Sequence, residues 1–356
     1  MEDLFFDCRY IRIDHHDGIS RFTTGLFTEL SKITNVTAII SDLRQLDKLP
    51  SGTQFVKLSA PTSALEPLIA RKINRTGAKV VFSPMQTIGS FGRKFKLVLT
   101  VHDLIYYRHP APPRGFSIAI RALWRLYHLV YWPQRLLLNR ADAVVTVSET
   151  TKRLIKEYNL TKRPVQVVYN APESAASITK SPSRPTGQQS LVYMGSFMDY
   201  KNVEVLISSM KHLPNYQLEL LSKISPERKH QLEKLISSNT RVIFHNGVSE
   251  VDYHNILSNS VALVTGSRDE GFGIPLVESM SRGIPIVVSD IDIFREIGGD
   301  AAIYFDQESE LDFVRAIKTL ESESEWLARS AKCNLQSQNF SWTNSARSLL
   351  QLLKQI

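Results

Sequence analysis

The sequence predicts an α/β protein made of two doubly wound, Rossmann-like domains facing an interdomain cleft. Three observations carry this expectation. Short apolar, β-rich runs recur between helical stretches without polar alternation, as parallel strands covered on both faces require. The alternation of strand and helix breaks off near residue 171 and then restarts. A chain of 356 residues also exceeds a typical single domain.

The first domain is expected over residues 1–170. Leu4-Phe5-Phe6 opens it as a strand, a loop runs from His15 to Ser20, and a helix follows from Phe22 to Leu30. Further strands fall at Val36 to Ile40, Val80 to Phe82, Leu97 to Val101 and Ala143 to Val147. A helical pattern spans Phe116 to Leu138, and Ser148 is placed to cap another helix with Glu149 in its first turn. Residues 171–190 read as a connection, because Pro172, Pro182 and Pro185 interrupt any regular element. The second domain is expected over residues 191–339. Its strands are Leu191 to Met194, Gln217 to Leu221, Arg241 to Phe244, Ala262 to Val264 and Pro285 to Val288. Helices are expected at Val203 to Met210, Pro226 to Ile236, Tyr253 to Leu257, Pro275 to Ser281 and Leu311 to Leu320. Residues 340–356 form a terminal segment with a helix from Trp342 to Leu353.

Composition narrows the function classes. Apolar residues at 43% and charged residues at 22% exclude a disordered chain, a collagen-like fibre and a coiled coil. Cys8 and Cys333 are the two cysteines, too far apart in sequence for a disulfide framework. Neither a signal peptide nor a membrane-spanning run of about 18 apolar residues is visible, which predicts a cytoplasmic location. The net charge of +8 is uneven: residues 1–170 carry 25 Lys and Arg against 13 Asp and Glu, the remainder 18 against 22. The first half is therefore expected to meet an anionic partner.

Four segments could carry chemistry. Ser267 to Glu278 follows an apolar strand and enters a helix, with Pro275 early in it and Gly271 and Gly273 allowing close backbone approach to a ligand. A helix N-terminus there favours phosphate. Leu276 stands where a dinucleotide fingerprint needs its third glycine, which rejects that reading. Glu270 and Glu278 bracket the loop; they suit the hydroxyls of a ribose or hexose, or are plain surface charges. Tyr193 to Asn202 also leaves a strand, and Lys201 at its end either reaches an anion or is solvated. His102-Asp103 follows the run Leu97 to Val101, at a strand end where such sheets hold ligands. Asp17-Gly18-Ile19-Ser20-Arg21 enters the first helix, with backbone and guanidinium donors for an anion.

In order and spacing these segments resemble the retaining GT-B glycosyltransferases of family 4, on the branch of bacterial mannosyltransferase-like group 1 enzymes. The resemblance continues through Val147-Ser148-Glu149, Tyr169-Asn170, Gly195, Lys201-Asn202, Gly283-Ile284-Pro285, Glu296, Gly299 to Ala302 and Phe340-Ser341-Trp342. It implies a nucleoside diphosphate sugar donor bound by the second domain, an acceptor bound mainly by the first, and metal-independent transfer without a cofactor. Glu278 would bind the ribose and Glu270 the donor sugar. Phe272 lies within this donor loop, and the amides of Gly273, Ile274, Pro275 and Leu276 would hold sugar and phosphate. Lys201 would neutralise the diphosphate, Gly18 and Gly195 would approach it, and His102 would lie beside the transferring sugar. His102, Lys201 and Glu270 are thus the expected catalytic residues. The resemblance also brings residues 340–356 back to the first domain, and suggests GDP-mannose as donor and a glycan or lipid-linked glycan as acceptor.

One departure is Ser196, where many relatives carry an arginine that pairs with the diphosphate; Arg21 or Arg268 would have to compensate. Asp290-Ile291-Asp292 spells a metal-binding D-x-D, and His15-His16-Asp17 invites zinc, but neither has a full ligand set in sequence and no metal is expected. Within residues 114–140, Arg114, Arg121, Arg125, Arg135 and Arg140 interleave with Phe116, Trp124, Tyr127, Tyr131 and Trp132. That pattern fits a peripheral contact with an acidic membrane, or a helix on the sheet with its arginine heads in water. Pro133 argues against one long helix, and no nucleic-acid module accompanies the charge. A nucleotide-sugar epimerase or hydrolase of the same fold, and a catalytically weak sugar-nucleotide-binding subunit, are the alternative functions.

Overall fold

The computed structural model describes residues 3–14, 17–110, 118–173 and 183–356. His15 and His16, Arg114 and Phe116, and residues 174–182 of the expected connection lie outside the described residues. The chain forms two compact units, residues 1–171 with 341–356 and residues 172–340.

Unit 1 contains β1 (Leu4–Asp7), α1 (Gly18–Ile33), β2 (Thr37–Ile40), β3 (Phe55–Lys57), α2 (Ile69–Asn74), β4 (Val80–Ser83) and β5 (Lys96–Val101). Then follow α3 (Ile105–Arg108), α4 (Ile118–His128), α5 (Trp132–Asn139), β6 (Ala143–Thr146), α6 (Glu149–Glu157) and β7 (Val165–Val167). The strands form one parallel sheet in the order β3-β2-β1-β4-β5-β6-β7. The order reverses between β1 and β4, and ligands of such sheets bind beyond the strand carboxyl ends at that point. Every residue of β1, β4 and β6 is buried, which is why these runs lack alternation. Asp17 caps α1 by accepting the Ser20 N–H at 2.8 Å, and Ser148 caps α6 through the Thr151 N–H at 3.0 Å.

Unit 2 contains β8 (Gln189–Tyr193), α7 (Val203–Ser209), β9 (Tyr216–Leu220), α8 (Pro226–Glu233), β10 (Arg241–Phe244), α9 (Glu250–Ser258) and β11 (Ala262–Thr265). It continues with α10 (Ile274–Ser281), β12 (Ile286–Ser289), α11 (Asp292–Gly298), β13 (Ile303–Phe305), α12 (Glu310–Thr319) and α13 (Glu323–Ser337). Its parallel sheet has the order β10-β9-β8-β11-β12-β13, so the reversal falls between β8 and β11. α13 closes one face, with Trp326 fully buried and its indole N–H donated to the Val261 carbonyl at 2.8 Å.

The last helix, α14 (Trp342–Gln355), belongs to unit 1. Thr343 donates to Glu29 of α1 at 2.9 Å, and Ser345 donates to the Tyr169 carbonyl at 2.7 Å. Leu349, Leu352 and Leu353 supply its buried stripe.

Over the described residues 118–138, the expected single helical pattern is two helices, because Pro133 sits in the first turn of α5 and ends any continuation of α4. The loop expected as far as Ser20 stops earlier: Gly18 is already helical. Asn202 occupies the cap position of α7 with φ at 48°, but its side chain donates to the Gln307 carbonyl at 2.7 Å instead of capping.

Candidate active site

In unit 2 the loops that follow β8 and β11 rise side by side from the point where the strand order reverses. They are tied together by backbone: the Arg268 N–H donates to the Tyr200 carbonyl at 2.8 Å. The Lys201 ammonium pairs with the Glu270 carboxylate, and both side chains keep partial access to solvent. The Tyr200 ring lies 5.3 Å from the Lys201 nitrogen. Two expected catalytic residues separated by 69 positions in sequence therefore meet as an ion pair.

The glycines act where backbone geometry needs them. Gly273 has φ at 94°, a conformation side chains rarely adopt, and it turns the chain into α10. A Cβ on Gly195 would stand 2.8 Å from the Tyr193 hydroxyl, which donates to the Ser196 carbonyl at 2.6 Å. Phe272 is buried and packs edge-on against Phe340 at 5.8 Å, so it holds the loop from below.

The expectation that four consecutive amides from Gly273 to Leu276 face a ligand is corrected. Pro275 has no N–H, and the Leu276 N–H donates to the Gly273 carbonyl at 2.9 Å. Gly273 and Ile274 supply the N–H groups left at the N-terminus of α10.

Glu278 lies on the buried face of α10, 1% exposed, and accepts a hydrogen bond from the Tyr253 hydroxyl of α9 at 2.8 Å. Its neighbour Arg282 donates to the Glu278 carbonyl at 3.0 Å and to His254 Nδ1 at 2.8 Å. His254, Glu250 and Glu173 place their ligand atoms within 4.8 Å of one another, but a guanidinium donating to that ring opposes a cation there. Asp290 of the D-x-D is likewise taken up, both oxygens bonded to Arg295 at 2.5 and 2.6 Å.

Ser196 is exposed on its loop. Of the residues expected to compensate for it, Arg268 is committed to Glu308 by two bonds of 2.6 and 2.9 Å, and this pairing holds the guanidinium's pKa up and the carboxyl's down. Arg21 lies in unit 1 on α1, where its N–H donates to the Asp17 carbonyl. Sequence reasoning missed Arg228, which is buried under the Ser196 loop. It donates to the Phe197 carbonyl at 2.9 Å and pairs with Glu204. No spacing marks Arg228, since it reaches the loop from α8.

In unit 1, Gly18 begins α1 and is exposed beside the Asp17 cap. His102 is the first residue after β5. Its Nε2 donates to the Pro84 carbonyl at 2.8 Å, so in the neutral ring Nδ1 carries the lone pair. Phe22 packs edge-on against it at 5.1 Å. Burial lowers the His102 pKa; the Pro84 hydrogen bond and the charges of Asp103 and Asp17 oppose that shift. Beneath this crest lies a cluster that the sequence did not reveal. Arg9 is 4% exposed and binds Asp7 at 2.8 and 2.9 Å and Glu66 at 2.7 and 2.9 Å.

Around α4 and α5, Leu123, Leu126, Leu129, Val130, Trp132 and Leu136 are exposed, interspersed along the chain with exposed Arg121, Arg125, Arg135 and Arg140. No helix among the described residues is long and apolar enough to cross a membrane.

Comparison with known proteins matches this architecture. The family model for glycosyl transferases group 1 matches residues 175–336, and that for glycosyltransferase family 4 matches residues 56–172. The O-antigen chain mannosyltransferase RfbU of Salmonella typhimurium is 25% identical over 331 residues, covering 88% of this chain and 89% of that protein. Sucrose-phosphate synthase from Thermosynechococcus elongatus superposes with a TM-score of 0.74 at 16% identity, over 99% of this chain and 98% of that one. The Anabaena protein HepE, solved with UDP-glucose, superposes with a TM-score of 0.71 at 12% identity, over 99% of each chain. With two parallel Rossmann-like sheets and two family models that together span well over half its length, the chain belongs to the GT-B glycosyltransferases of family 4, group 1.

Proposed function

We propose that this glycosyltransferase moves mannose from GDP-mannose to a hydroxyl of a glycan or lipid-linked glycan, with retention of configuration and without a metal. The observation that carries the reading is the Lys201–Glu270 pair standing beside the N-terminus of α10 at the strand reversal of unit 2. The resemblance in sequence to an O-antigen mannosyltransferase supports the choice of sugar and acceptor class.

The chemistry follows from charge. The bond from the anomeric carbon to the β-phosphate oxygen breaks, leaving negative charge on the diphosphate. The Lys201 ammonium and the amides of Gly273 and Ile274 are fixed donors for that charge and need no reorganisation of water. The acceptor oxygen forms the new bond on the same face, and its proton passes to the departing phosphate. Glu270 holds Lys201 in place before donor arrives and then turns to the sugar hydroxyls. Glu278 binds the ribose. His102 presents its Nδ1 lone pair to a hydroxyl of the transferring sugar.

The exposed leucines, Trp132 and arginines of α4 and α5 form a contact with the acidic inner face of a membrane. Apolar side chains enter the interface while guanidinium groups meet lipid phosphates. Such a surface keeps the enzyme cytoplasmic and next to a lipid-linked acceptor.

A thermal-shift panel of GDP-mannose, UDP-glucose and UDP-N-acetylglucosamine tests the donor, since a selective ligand raises the melting temperature by mass action. Transfer to an octyl mannoside, with the product anomer read by NMR, tests the reaction. No stabilisation by GDP-mannose, or an inverted product, would reject the reading. Flotation with vesicles of phosphatidylglycerol and phosphatidylcholine tests the membrane contact; binding without dependence on acidic lipid rejects it.

A further inference from the structure

The crest of unit 1 holds uncharged polar side chains that the family resemblance does not include. β1, β4 and β5 are neighbours, so the segments leaving their carboxyl ends lie side by side. Tyr10, just past β1, shares a hydrogen bond of 2.9 Å with the Thr87 hydroxyl, past β4. Gln86 precedes Thr87, and His102 anchors to the Pro84 carbonyl in the same segment.

Behind this row runs a hydrogen-bonded relay. The Tyr107 hydroxyl of α3 donates to Gln134 Oε1 of α5 at 2.8 Å. Gln134 Nε2 then donates to Gln86 Oε1 at 2.7 Å. Gln134 is 1% exposed, and a buried amide is costly unless its groups are bonded. The relay therefore anchors the Gln86 amide: one of its two polar atoms bonds Gln134, and the other is left over. That second atom makes no hydrogen bond among the described residues, and Gln86 is half-buried at the crest.

We propose that the amide of Gln86 hydrogen-bonds a hydroxyl of the acceptor sugar, and that Gln134 and Tyr107 are positioning residues that hold it. The inference rests on the reading that the first domain receives the acceptor. An uncharged amide beside the Tyr10–Thr87 hydroxyl pair recognises a neutral pyranoside rather than an anion.

The test is steady-state transfer from GDP-mannose by the full chain to octyl α-mannoside, octyl β-glucoside and octyl β-N-acetylglucosaminide. Gln86→Ala removes one neutral hydrogen bond. It is expected to raise the KM for the best glycoside about three- to ten-fold, with kcat and the Kd for GDP-mannose unchanged. Gln134→Leu and the milder Tyr107→Phe leave Gln86 in place but free its amide to turn, and shift the same KM in the same direction. Gln86 is only half-buried, so its variant stays informative if Gln134→Leu fails to fold. An unchanged acceptor KM in Gln86→Ala, or a loss confined to kcat, overturns the inference. So does a wild type that binds GDP-mannose yet glycosylates none of the three glycosides. A wild type that does not bind GDP-mannose removes the underlying reading and this inference with it, and the donor titration tells that case apart.

Discussion

The Tyr253 hydroxyl sits 2.8 Å from Glu278 Oε2, with both side chains about 1% exposed. The tyrosine lies on α9 and the glutamate on α10, so one hydrogen bond ties a nucleotide-binding candidate to a neighbouring helix. A buried carboxylate that loses a donor bears an uncompensated desolvation cost. Tyr253→Phe should destabilise unit 2 by about 1.5–3 kcal/mol and weaken GDP-mannose binding. Urea unfolding and a donor titration measure the two effects. Loss of stability without loss of affinity would make Glu278 structural only.

Lys201→Ala should lower kcat by about 10²–10³, since removing one fixed donor to a developing anion costs about 3–4 kcal/mol in the barrier. Glu270→Gln separates the roles within the pair: the ammonium stays, but the contact proposed for the sugar loses its charge. Turnover at saturating donor is the measurement. A Lys201→Ala enzyme with wild-type kcat would remove the charge-stabilising role from this pair.

Much of the fold was legible because buried parallel strands announce themselves as uninterrupted apolar runs, as in β1, β4, β6, β11 and β12. The strands that escaped notice are β3, β7 and β13, each three residues long, and β3 has two exposed residues. Three residues are too few for periodicity to register. α11 and α13 also escaped, since their polar residues blur the apolar stripe.

The site divides in the same way. Lys201, Glu270, Gly273 and His102 stand at strand ends, where order along the chain betrays position. Arg228, Tyr253 and the Arg9 cluster reach the crests from other elements. The partners of Arg9 show why: Asp7 is two positions away, but Glu66 lies 57 positions along the chain.

That buried cluster makes its own prediction. Arg9→Met would leave Asp7 and Glu66 buried together without their cation. Breaking a buried pair from one side typically costs about 3–5 kcal/mol. Burial already raises the Glu66 pKa, with the Asp7 charge adding to it and Arg9 opposing it. Removing Arg9 should therefore raise it further, and the variant should regain stability as pH falls toward 5. Urea unfolding at pH 7.5 and 5 checks the sign.

His102 gives the opposite dependence on acid. Burial lowers its pKa below the ordinary 6.5, so the unfolded chain takes up the proton at a pH where the folded one does not. Stability should fall as pH drops through about 6.5 and level off below the folded pKa. His128, also lowered by burial, contributes in the same window. His102→Gln keeps a donor for the Pro84 carbonyl and removes one titration, so its stability profile between pH 5 and 8 should be flatter. An unchanged slope would mean that His102 is not held neutral by the fold.

Gly25 on α1 tests whether α14 is part of the packing that supports His102. A Cβ at this position would overlap the Trp342 indole, 2.7 Å from Cδ2 and nearer still to Cε2. Trp342 in turn packs on Phe22 at 6.2 Å, and Phe22 packs on His102 at 5.1 Å. Gly25→Ala gains helix propensity, worth about 1 kcal/mol. Overpacking of this kind costs about 1–3 kcal/mol, so the net effect should be destabilising by up to ~2 kcal/mol. Adding Trp342→Leu removes the clash, and the double variant should be more stable than the two single losses sum to. Additive losses in that cycle would mean that the two side chains do not meet, and that α14 reaches His102 by some other route.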